Sequence, residues 1–299
     1  MHVKCIWQTG VHNAFTDLIA WQDALWCVFR EGSAHVSPDG AFRILRSDDR
    51  GQQWQSVAVL RHATADLRDA KFAVLPDGRL MLYGAGALHD NTPISHQSFA
   101  WFSETGADWS QPVAIGEPNI WIWRLTWRQQ EALALGYHCG PGSRFVRAYR
   151  TSDGIAFQAL ATDIYGGSYA NESAIVFEHD GTALCLLRRD PDNGLFGLAR
   201  PPYTEWQWQD IGCRIGGPQW LQLDNGRLLA CVRLYDERIR TSLCWIDRQT
   251  GMLTEWQALP SGGDCSYAGM LIKEQRLYLS YYSSHEGQSR IYFAETTLP

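Results

Sequence analysis

The stretch Ser47-Asp48-Asp49-Arg50-Gly51-Gln52-Gln53-Trp54 follows the pattern S-x-D-x-G-x-x-W. Asp and Gly favour a tight turn between two strands, a Ser can brace that turn, and a Trp can pack beneath it. Less complete copies occupy residues 103–109, 152–157 and 247–251. A turn that recurs along the chain indicates a repeat architecture, in which the turn is a structural element rather than a functional site.

A second type of turn divides each repeat. Asp180-Gly181 and Asn225-Gly226 are hairpin pairs between apolar runs, and residues 76–79 (PDGR) hold the same place in an earlier repeat. Each repeat therefore reads as four strands. The innermost strands are expected to begin near Phe15, Lys71, Ile122, Ser173, Trp220 and Ala268.

Six such repeats predict an all-β fold, a six-bladed β-propeller. The last repeat would contain only three strands, so residues 1–10 (MHVKCIWQTG) are expected to supply its outer strand. This arrangement closes the ring with the N-terminal strand and removes open sheet edges. Residues 1–299 are then expected to form a single β-propeller domain, because a closed ring of this size is usually one domain.

Composition limits the expected partners and compartment. The formal net charge is −6 and no run of Lys or Arg occurs, which argues against nucleic acid or an anionic membrane as a partner. The eight cysteines form no C-x-x-C pair and several lie in apolar runs, so reduced thiols are expected. The N-terminus has no apolar leader and no run approaches membrane-spanning length. These features favour a cytoplasmic protein.

One face of the predicted ring collects most of the His and many of the Arg side chains. Because strands alternate in direction, the segments that lead into the innermost strands emerge on the same face as the loops between second and third strands. Such a funnel suits a polar, anionic small molecule or oligosaccharide. The alternative is that these loops are polar anyway and that Arg–Glu pairs tie neighbouring blades together. The candidates on this face include Asp17, Glu31, Arg30, His35, Arg68, Asp69, Glu172, Arg188, Gln219, Arg233, Arg240, Tyr267, His285 and Glu286.

The blade pattern resembles the sialidase (neuraminidase) superfamily, whose Asp-box or BNR repeat matches residues 47–54. Residues 171–176 (NESAIV) resemble the segment in which a Glu opens blade four, and Arg188 follows Glu172 at the spacing of an Arg that clamps the substrate carboxylate. Residues 240–243 (RTSL) resemble the R-x-x-L segment that supplies another clamp Arg. Residues 265–270 (CSYAGM) resemble the stretch that carries the catalytic Tyr.

This resemblance implies that Tyr267 is a nucleophile, that Glu172 is its base, and that Arg188 and Arg240 bind the substrate's carboxylate. In the family, Tyr attacks the anomeric carbon while Glu withdraws the phenol proton. A carboxylate nucleophile would be repelled by the carboxylate of sialic acid. A neutral phenol avoids that repulsion but has an ordinary pKa of about 10, so it needs a base beside it.

Blade one departs from the family. Its first clamp Arg, within a Phe-Arg-Ile-Pro motif, is replaced by residues 12–17 (HNAFTD), and the position of its acid/base Asp is occupied by Val36. Arg30 or Arg68 could supply the missing cation. The missing acid could be His35, Asp69 or Glu31. The remaining residues expected to bind substrate are Gln219, His285 and Glu286.

The leading hypothesis is therefore a sialidase-like glycoside hydrolase acting on an acidic or sialic-acid-like sugar. One alternative is a non-catalytic carbohydrate-binding propeller, in which Tyr267 is a core aromatic and Glu172 an inter-blade ion-pair partner. Another is a uronate lyase or other glycosidase that uses His285 with Glu286. No metal-ligand spacing or phosphate-binding glycine loop occurs, so neither metal nor cofactor is expected. A divalent ion held by His and Glu from different blades is the alternative.

Overall fold

The computed structural model describes residues 1–161 and 163–298, which form antiparallel strands and turns. The strand β1 (His2–Trp7) precedes blade one, which is β2 (His12–Trp21), β3 (Ala24–Gly32), β4 (Ala41–Ser47) and β5 (Gln55–Leu60). Blade two is β6 (Ala65–Val74), β7 (Leu80–Leu88), β8 (His96–Ser103) and β9 (Val113–Ile115); blade three is β10 (Ile120–Arg128), β11 (Glu131–His138), β12 (Val146–Thr151) and β13 (Gln158–Ala159).

The second half of the chain repeats this arrangement. Blade four is β14 (Tyr169–Phe177), β15 (Ala183–Asp190), β16 (Leu195–Ala199) and β17 (Gln207–Asp210); blade five is β18 (Ile215–Gln222), β19 (Leu228–Leu234), β20 (Arg240–Ile246) and β21 (Leu253–Ala258). Blade six is β22 (Cys265–Lys273), β23 (Arg276–Ser283) and β24 (Arg290–Thr297). The predicted all-β, six-bladed propeller is confirmed.

The N-terminal strand closes the ring. It pairs antiparallel with β24, with His2 opposite Glu295 and Cys5 opposite Tyr292, so the last sheet has the order β1-β24-β23-β22. The outermost ladder of blade six therefore joins the two ends of the chain, as predicted.

The turn over residues 47–54 attaches its blade to the preceding one. Ser47 Oγ accepts a hydrogen bond from the Gly51 amide at 2.8 Å, and Trp54 Nε1 donates to the Gly51 carbonyl at 3.1 Å. Gly51 has a φ of 87°, and a Cβ there would lie 2.4 Å from the ring of Phe293 in blade six. Gly106 in blade two packs in the same way on Trp26 of blade one. The repeated glycine is required by this close approach.

Each innermost strand is interrupted at the same point by a bulge, where two of its residues face one residue of the second strand. In blade six the register shifts between Ser266 and Gly269, and in blade two between Arg68 and Lys71. A bulge changes the direction of the side chains that it contains. The first bulged residues are Phe15, Asp69, Trp123, Asn171, Gly217 and Tyr267.

All eight cysteines are free, and five of them are buried. Within the two described ranges, no helix has the length and apolar character needed to cross a membrane.

Candidate functional site

Tyr267 lies where several blades meet. It is a bulge residue of β22 with a φ of 50° and is only 9% exposed. Its ring lies 4.9 Å from that of Phe15 in blade one, 6.1 Å from that of Trp123 in blade three, and 5.9 Å from that of Tyr282 in its own blade. The bulges of three blades thus converge on one phenol.

Glu172 and Arg188, both from blade four, contact the Tyr267 hydroxyl. The hydroxyl donates a hydrogen bond to Glu172 Oε1. One terminal nitrogen of Arg188 donates to the same Oε1 at 2.6 Å and to the Tyr267 oxygen at 2.9 Å. The other carboxylate oxygen of Glu172 accepts from the Gly217 amide at 2.7 Å. The structure therefore brings together three of the residues singled out in the sequence.

The surroundings keep the phenol of Tyr267 protonated. Burial raises its pKa well above the ordinary value of 10, and the negative charge of Glu172 raises it further. The positive charges of Arg188 and Arg233 oppose this shift. The phenol can become a nucleophile only if a base takes its proton as it reacts, and Glu172 is in hydrogen-bond contact for that transfer.

Asp69 occupies the bulge position in blade two that Tyr267 occupies in blade six. Its φ is 55°, it is 8% exposed, and its Oδ1 is buried without a hydrogen-bond partner among the described residues. Burial raises its pKa from 3.8 to about 6; Glu172 acts in the same direction, and Lys71 opposes it. Asp69 also contributes to the raised pKa of Tyr267. A carboxyl that holds its proton to about pH 6 can act as a general acid.

Arg233 lies against the same ring, although no specific role was predicted for it beyond its place on the polar face. Its guanidinium carbon is 5.3 Å from the centre of the Tyr267 ring. It donates to the Cys265 carbonyl, to the Tyr282 hydroxyl at 2.9 Å and to Asp264 Oδ1 at 3.1 Å. The only sequence signal for Arg233 was its predicted position on the face that carries the polar funnel. Asp264, which was not identified from the sequence, had no motif to mark it.

The structure does not bring Arg240 together with Arg188, although the sequence placed both on one substrate carboxylate. The Arg240 guanidinium donates to both oxygens of Glu255 at 2.8 Å and is also paired with Asp236. Arg240 begins β20, the third strand of blade five, and Glu255 belongs to the outermost strand beside it. Its side chain is therefore held by its own blade, and none of its hydrogen bonds reaches the Tyr267 cluster.

Arg30 was predicted to bind substrate, but its side chain is not accessible to one. Its side chain is completely buried, and two of its nitrogens donate to Asp66 Oδ1 at 3.0 and 2.9 Å. Its remaining nitrogen donates to the Ala34 carbonyl at 2.8 Å. Arg68 donates to the second oxygen of Asp66 at 2.8 Å and is partly buried. Arg30 is a structural cation, whereas Arg68 lies close enough to Asp69 to influence its pKa.

Three further residues that were predicted to belong to the site are His35, Gln219 and His285. His35 is half-exposed, and its ring lies 5.3 Å from that of Phe15, which in turn contacts Tyr267. Gln219 is buried at the end of the bulge in β18. His285 contacts Ser283 and the ring of Tyr292.

Two carboxylates that the sequence suggested as site residues, Glu286 and Glu31, are paired with residues outside the Tyr267 cluster. Glu286 accepts hydrogen bonds from Arg290 and from Tyr292 on β24. Glu31 is paired with Arg43 at 2.7 Å. The expected catalytic use of His285 with Glu286 therefore has no support from their contacts, because their partners lie outside the Tyr267 cluster.

One group of three side chains in the described part of the chain has the composition and spacing of a metal site. The ligand atoms of His12, His35 and Asp264 all lie within 4.8 Å of one another. His12 is the first residue of β2 in blade one, His35 lies in the loop after β3, and Asp264 directly precedes β22 in blade six.

Comparison with known proteins finds solved structures of the same fold. A protein of unknown function from Dyadobacter fermentans is 16% identical, with a TM-score of 0.86 over 99% of both chains. An α-L-arabinofuranosidase from Fusarium graminearum, bound to an iminosugar inhibitor, is 13% identical, with a TM-score of 0.77 over 100% of this chain and 98% of that chain. A Trypanosoma rangeli sialidase is 12% identical, with a TM-score of 0.73 over 96% of this chain and 55% of that chain.

At these identities the likeness establishes the fold alone. No protein-family model matches the sequence, and no curated protein does.

Proposed function

We propose that the protein is a retaining glycoside hydrolase in which Tyr267 is the nucleophile. The observation that carries this proposal is the contact of the Tyr267 hydroxyl with Glu172 and Arg188 in a buried cluster. A phenol that only fills the core needs one hydrogen-bond partner, as buried Tyr281 has in the Pro260 carbonyl, whereas the Tyr267 oxygen contacts both a carboxylate and a guanidinium. The Fusarium and Trypanosoma enzymes, which share the fold, are named as glycosidases, and this agrees with the proposal.

In the first step the Tyr267 oxygen attacks the anomeric carbon while Glu172 accepts the phenol proton. Arg188 stabilises the charge that moves between the two oxygens, since it donates to both. Asp69, protonated below about pH 6, gives its proton to the departing glycosidic oxygen. In the second step the Asp69 carboxylate takes a proton from water, and the water oxygen attacks the anomeric carbon. The bond from that carbon to the Tyr267 oxygen breaks, and Glu172 returns the proton to the phenol. The anomeric configuration is retained.

For the substrate we propose an acidic, sialic-acid-like sugar. A neutral nucleophile avoids the charge repulsion that a carboxylate would meet from a substrate with a negative charge near the reacting carbon. Arg188 and Arg233 place two positive charges beside Tyr267. Arg188 and Arg233 would then bind the substrate's carboxylate, the role that the sequence assigned to Arg188 and Arg240.

A neutral pentoside is the second candidate. The guanidinium of Arg188 is already paired with Glu172 and with Asp190 at 2.9 Å, and that of Arg233 is paired with Asp264. A substrate carboxylate would have to compete with these acidic partners. The likeness to the Fusarium arabinofuranosidase favours the same candidate.

The test is hydrolysis of a panel of aryl glycosides that includes sialosides, uronides and pentosides. On any substrate that is cleaved, Tyr267→Phe is expected to abolish turnover but not binding, because it removes only the attacking oxygen. Tyr281→Phe is the matched control, since Tyr281 is also buried and its hydroxyl donates to the Pro260 carbonyl, away from the cluster. Mass spectrometry of the protein treated with a fluorinated glycosyl fluoride should find the sugar on Tyr267. Full activity of Tyr267→Phe would overturn the mechanism.

A further inference from the structure

We propose that His12, His35 and Asp264 bind a divalent transition-metal ion of the zinc class beside the Tyr267 cluster. The inference does not depend on the proposed glycosidase activity. Two imidazole nitrogens and one carboxylate oxygen are a ligand set that zinc uses in proteins, and three protein ligands leave a position open for water or substrate.

The geometry of the three side chains fits such an ion. His35 Nδ1 lies 2.9 Å and His12 Nε2 lies 3.5 Å from the same carboxylate oxygen, Oδ2 of Asp264. Ligands held about 2.0–2.1 Å from a tetrahedral zinc ion lie roughly 3.3 Å from one another. The two spacings to Asp264 Oδ2 are therefore within a few tenths of an ångström of those around a zinc ion, and the spacing between the two imidazoles is at most 4.8 Å.

The carboxylate of Asp264 is oriented for this role. Its Oδ1 accepts hydrogen bonds from the Tyr282 hydroxyl at 2.6 Å and from Arg233 at 3.1 Å. The backbone amide of Asp264 donates to Ser284 Oγ at 3.0 Å. Donors on one oxygen leave the other facing the two imidazoles, as the supporting hydrogen bonds around a metal ligand commonly do.

The loop that carries His35 is also fixed. Arg30, which is buried, donates to the carbonyl of Ala34 at 2.8 Å and to Ser37 Oγ at 2.9 Å. Asp39 accepts from the Ser33 amide at 3.1 Å. These contacts hold the backbone on both sides of His35, while its side chain remains 49% exposed. An ion bound there would be reachable from solvent and could take a water or a ligand oxygen as a further partner.

The site is joined to the Tyr267 cluster by two side chains. Phe15 contacts the rings of both His35 and Tyr267, and Arg233 contacts both Asp264 and the Tyr267 ring. A ligand that occupied the cluster could therefore place an oxygen on the metal. Sugar hydroxyl and carboxylate groups are ligands of the required class.

The competing explanation is a hydrogen-bonded His–Asp cluster that never binds metal. The two explanations differ in a direct measurement. Protein without a polyhistidine tag is freed of metal by a chelator and titrated with ZnCl₂ in a calorimeter. We expect one equivalent to bind to the wild type, and His12→Ala and His35→Ala each to weaken that binding at least tenfold.

His89→Ala is the matched control. His89 is an exposed imidazole on a neighbouring loop, and its Nε2 contacts the Pro38 carbonyl rather than the cluster. It should bind zinc like the wild type. Circular dichroism establishes that each variant is folded, and the visible spectrum of the protein loaded with Co²⁺ should show tetrahedral coordination that His35→Ala loses. If the wild type binds no zinc, or if the two cluster variants bind it like the wild type, the proposal is wrong.

Discussion

The segments that lead into blades two and six are built alike but end in different surroundings. In each blade, the Asp three residues before the first bulge residue accepts a hydrogen bond from an Arg of the preceding blade: Asp66 from Arg30, and Asp264 from Arg233. The two Arg occupy corresponding positions, since Arg30 lies opposite Ala14 and Arg233 opposite Gly216, immediately before the bulge in each case.

The difference lies in the second oxygen of each carboxylate. That of Asp66 is taken by Arg68, and the Arg30–Asp66 pair is closed, with side chains 0% and 6% exposed. That of Asp264 faces His12 and His35, and the Arg233–Asp264 pair is more open, at 12% and 31%. The same inter-blade ion pair thus serves the fold at one junction and lies beside the proposed active site at the other.

The largest expected effect is on stability at the closed junction. Arg30→Met should lower the free energy of unfolding by about 3 kcal/mol, the lower end for a broken buried ion pair, because Asp66 would lose Arg30 but keep Arg68. Arg233→Met should cost less than half as much, since water can reach Asp264. Urea denaturation of both variants measures the difference, and equal losses would show that the two junctions are equivalent.

The bulge residues that follow these two Asp residues sharpen the comparison, because blade two presents Asp69 where blade six presents Tyr267. Asp69 holds its proton to about pH 6 in the folded protein but only to about 3.8 unfolded, so its buried charge destabilises the fold progressively as the pH rises through this window. Asp69→Asn should therefore gain about 2–3 kcal/mol relative to the wild type at pH 7 and little near pH 4.

The same variant should lose the catalytic proton donor. On a substrate with a poor leaving group the wild type should slow as the pH rises above about 6, whereas Asp69→Asn should be slow at every pH. Denaturation and pH–rate profiles are the measurements. An unchanged pH profile in Asp69→Asn would assign the general acid to another residue, with His35 as the first to test.

A smaller effect is expected on catalysis when the more open pair, Arg233 with Asp264, is changed. Arg233→Met removes a positive charge from the Tyr267 ring and should lower kcat about tenfold, or about 1.4 kcal/mol. Lys is the informative control at the same position: Arg233→Lys keeps the charge but not the planar contacts to Asp264 and Tyr282, and should recover part of the rate. If both variants retain the wild-type kcat, Arg233 is structural like Arg30.

The sequence predicted the fold because its turns carry the information locally. The octet at residues 47–54 requires Gly51 at a positive φ above Phe293, and a requirement of this kind recurs in other blades. Tyr267, Glu172 and Arg188 could be found because short sequence motifs mark them, Glu172 and Tyr267 on the innermost strands of blades four and six and Arg188 on the second strand of blade four. The sequence could not predict where the side chains of Arg30 and Arg240 point. Each is paired with an acidic residue, Asp66 or Glu255, that only the folded blades bring into reach.

The cluster of His12, His35 and Asp264 could not be predicted from the sequence for a different reason. His12 and Asp264 are 252 residues apart in the chain, and they meet only because the ring closes between blades six and one. The bulges add to this difficulty, since they break the strict alternation of side chains that a strand pattern predicts. The repeats predicted that the ring closes, but not which side chains meet across the closure.

The smallest expected effect separates the two junctions through single hydroxyl groups. Ser37→Ala removes the hydroxyl that accepts from Arg30 at 2.9 Å, and Tyr282→Phe removes the hydroxyl that donates to Asp264 at 2.6 Å. Each lost hydrogen bond should cost about 1 kcal/mol of stability. Only Tyr282→Phe should also weaken zinc binding, about tenfold, because it frees the carboxylate oxygen that the cluster needs held in place. Denaturation and zinc titration of the pair measure both effects; if Ser37→Ala weakens zinc binding equally, the buried junction at Arg30 controls His35 as strongly as Tyr282 controls Asp264.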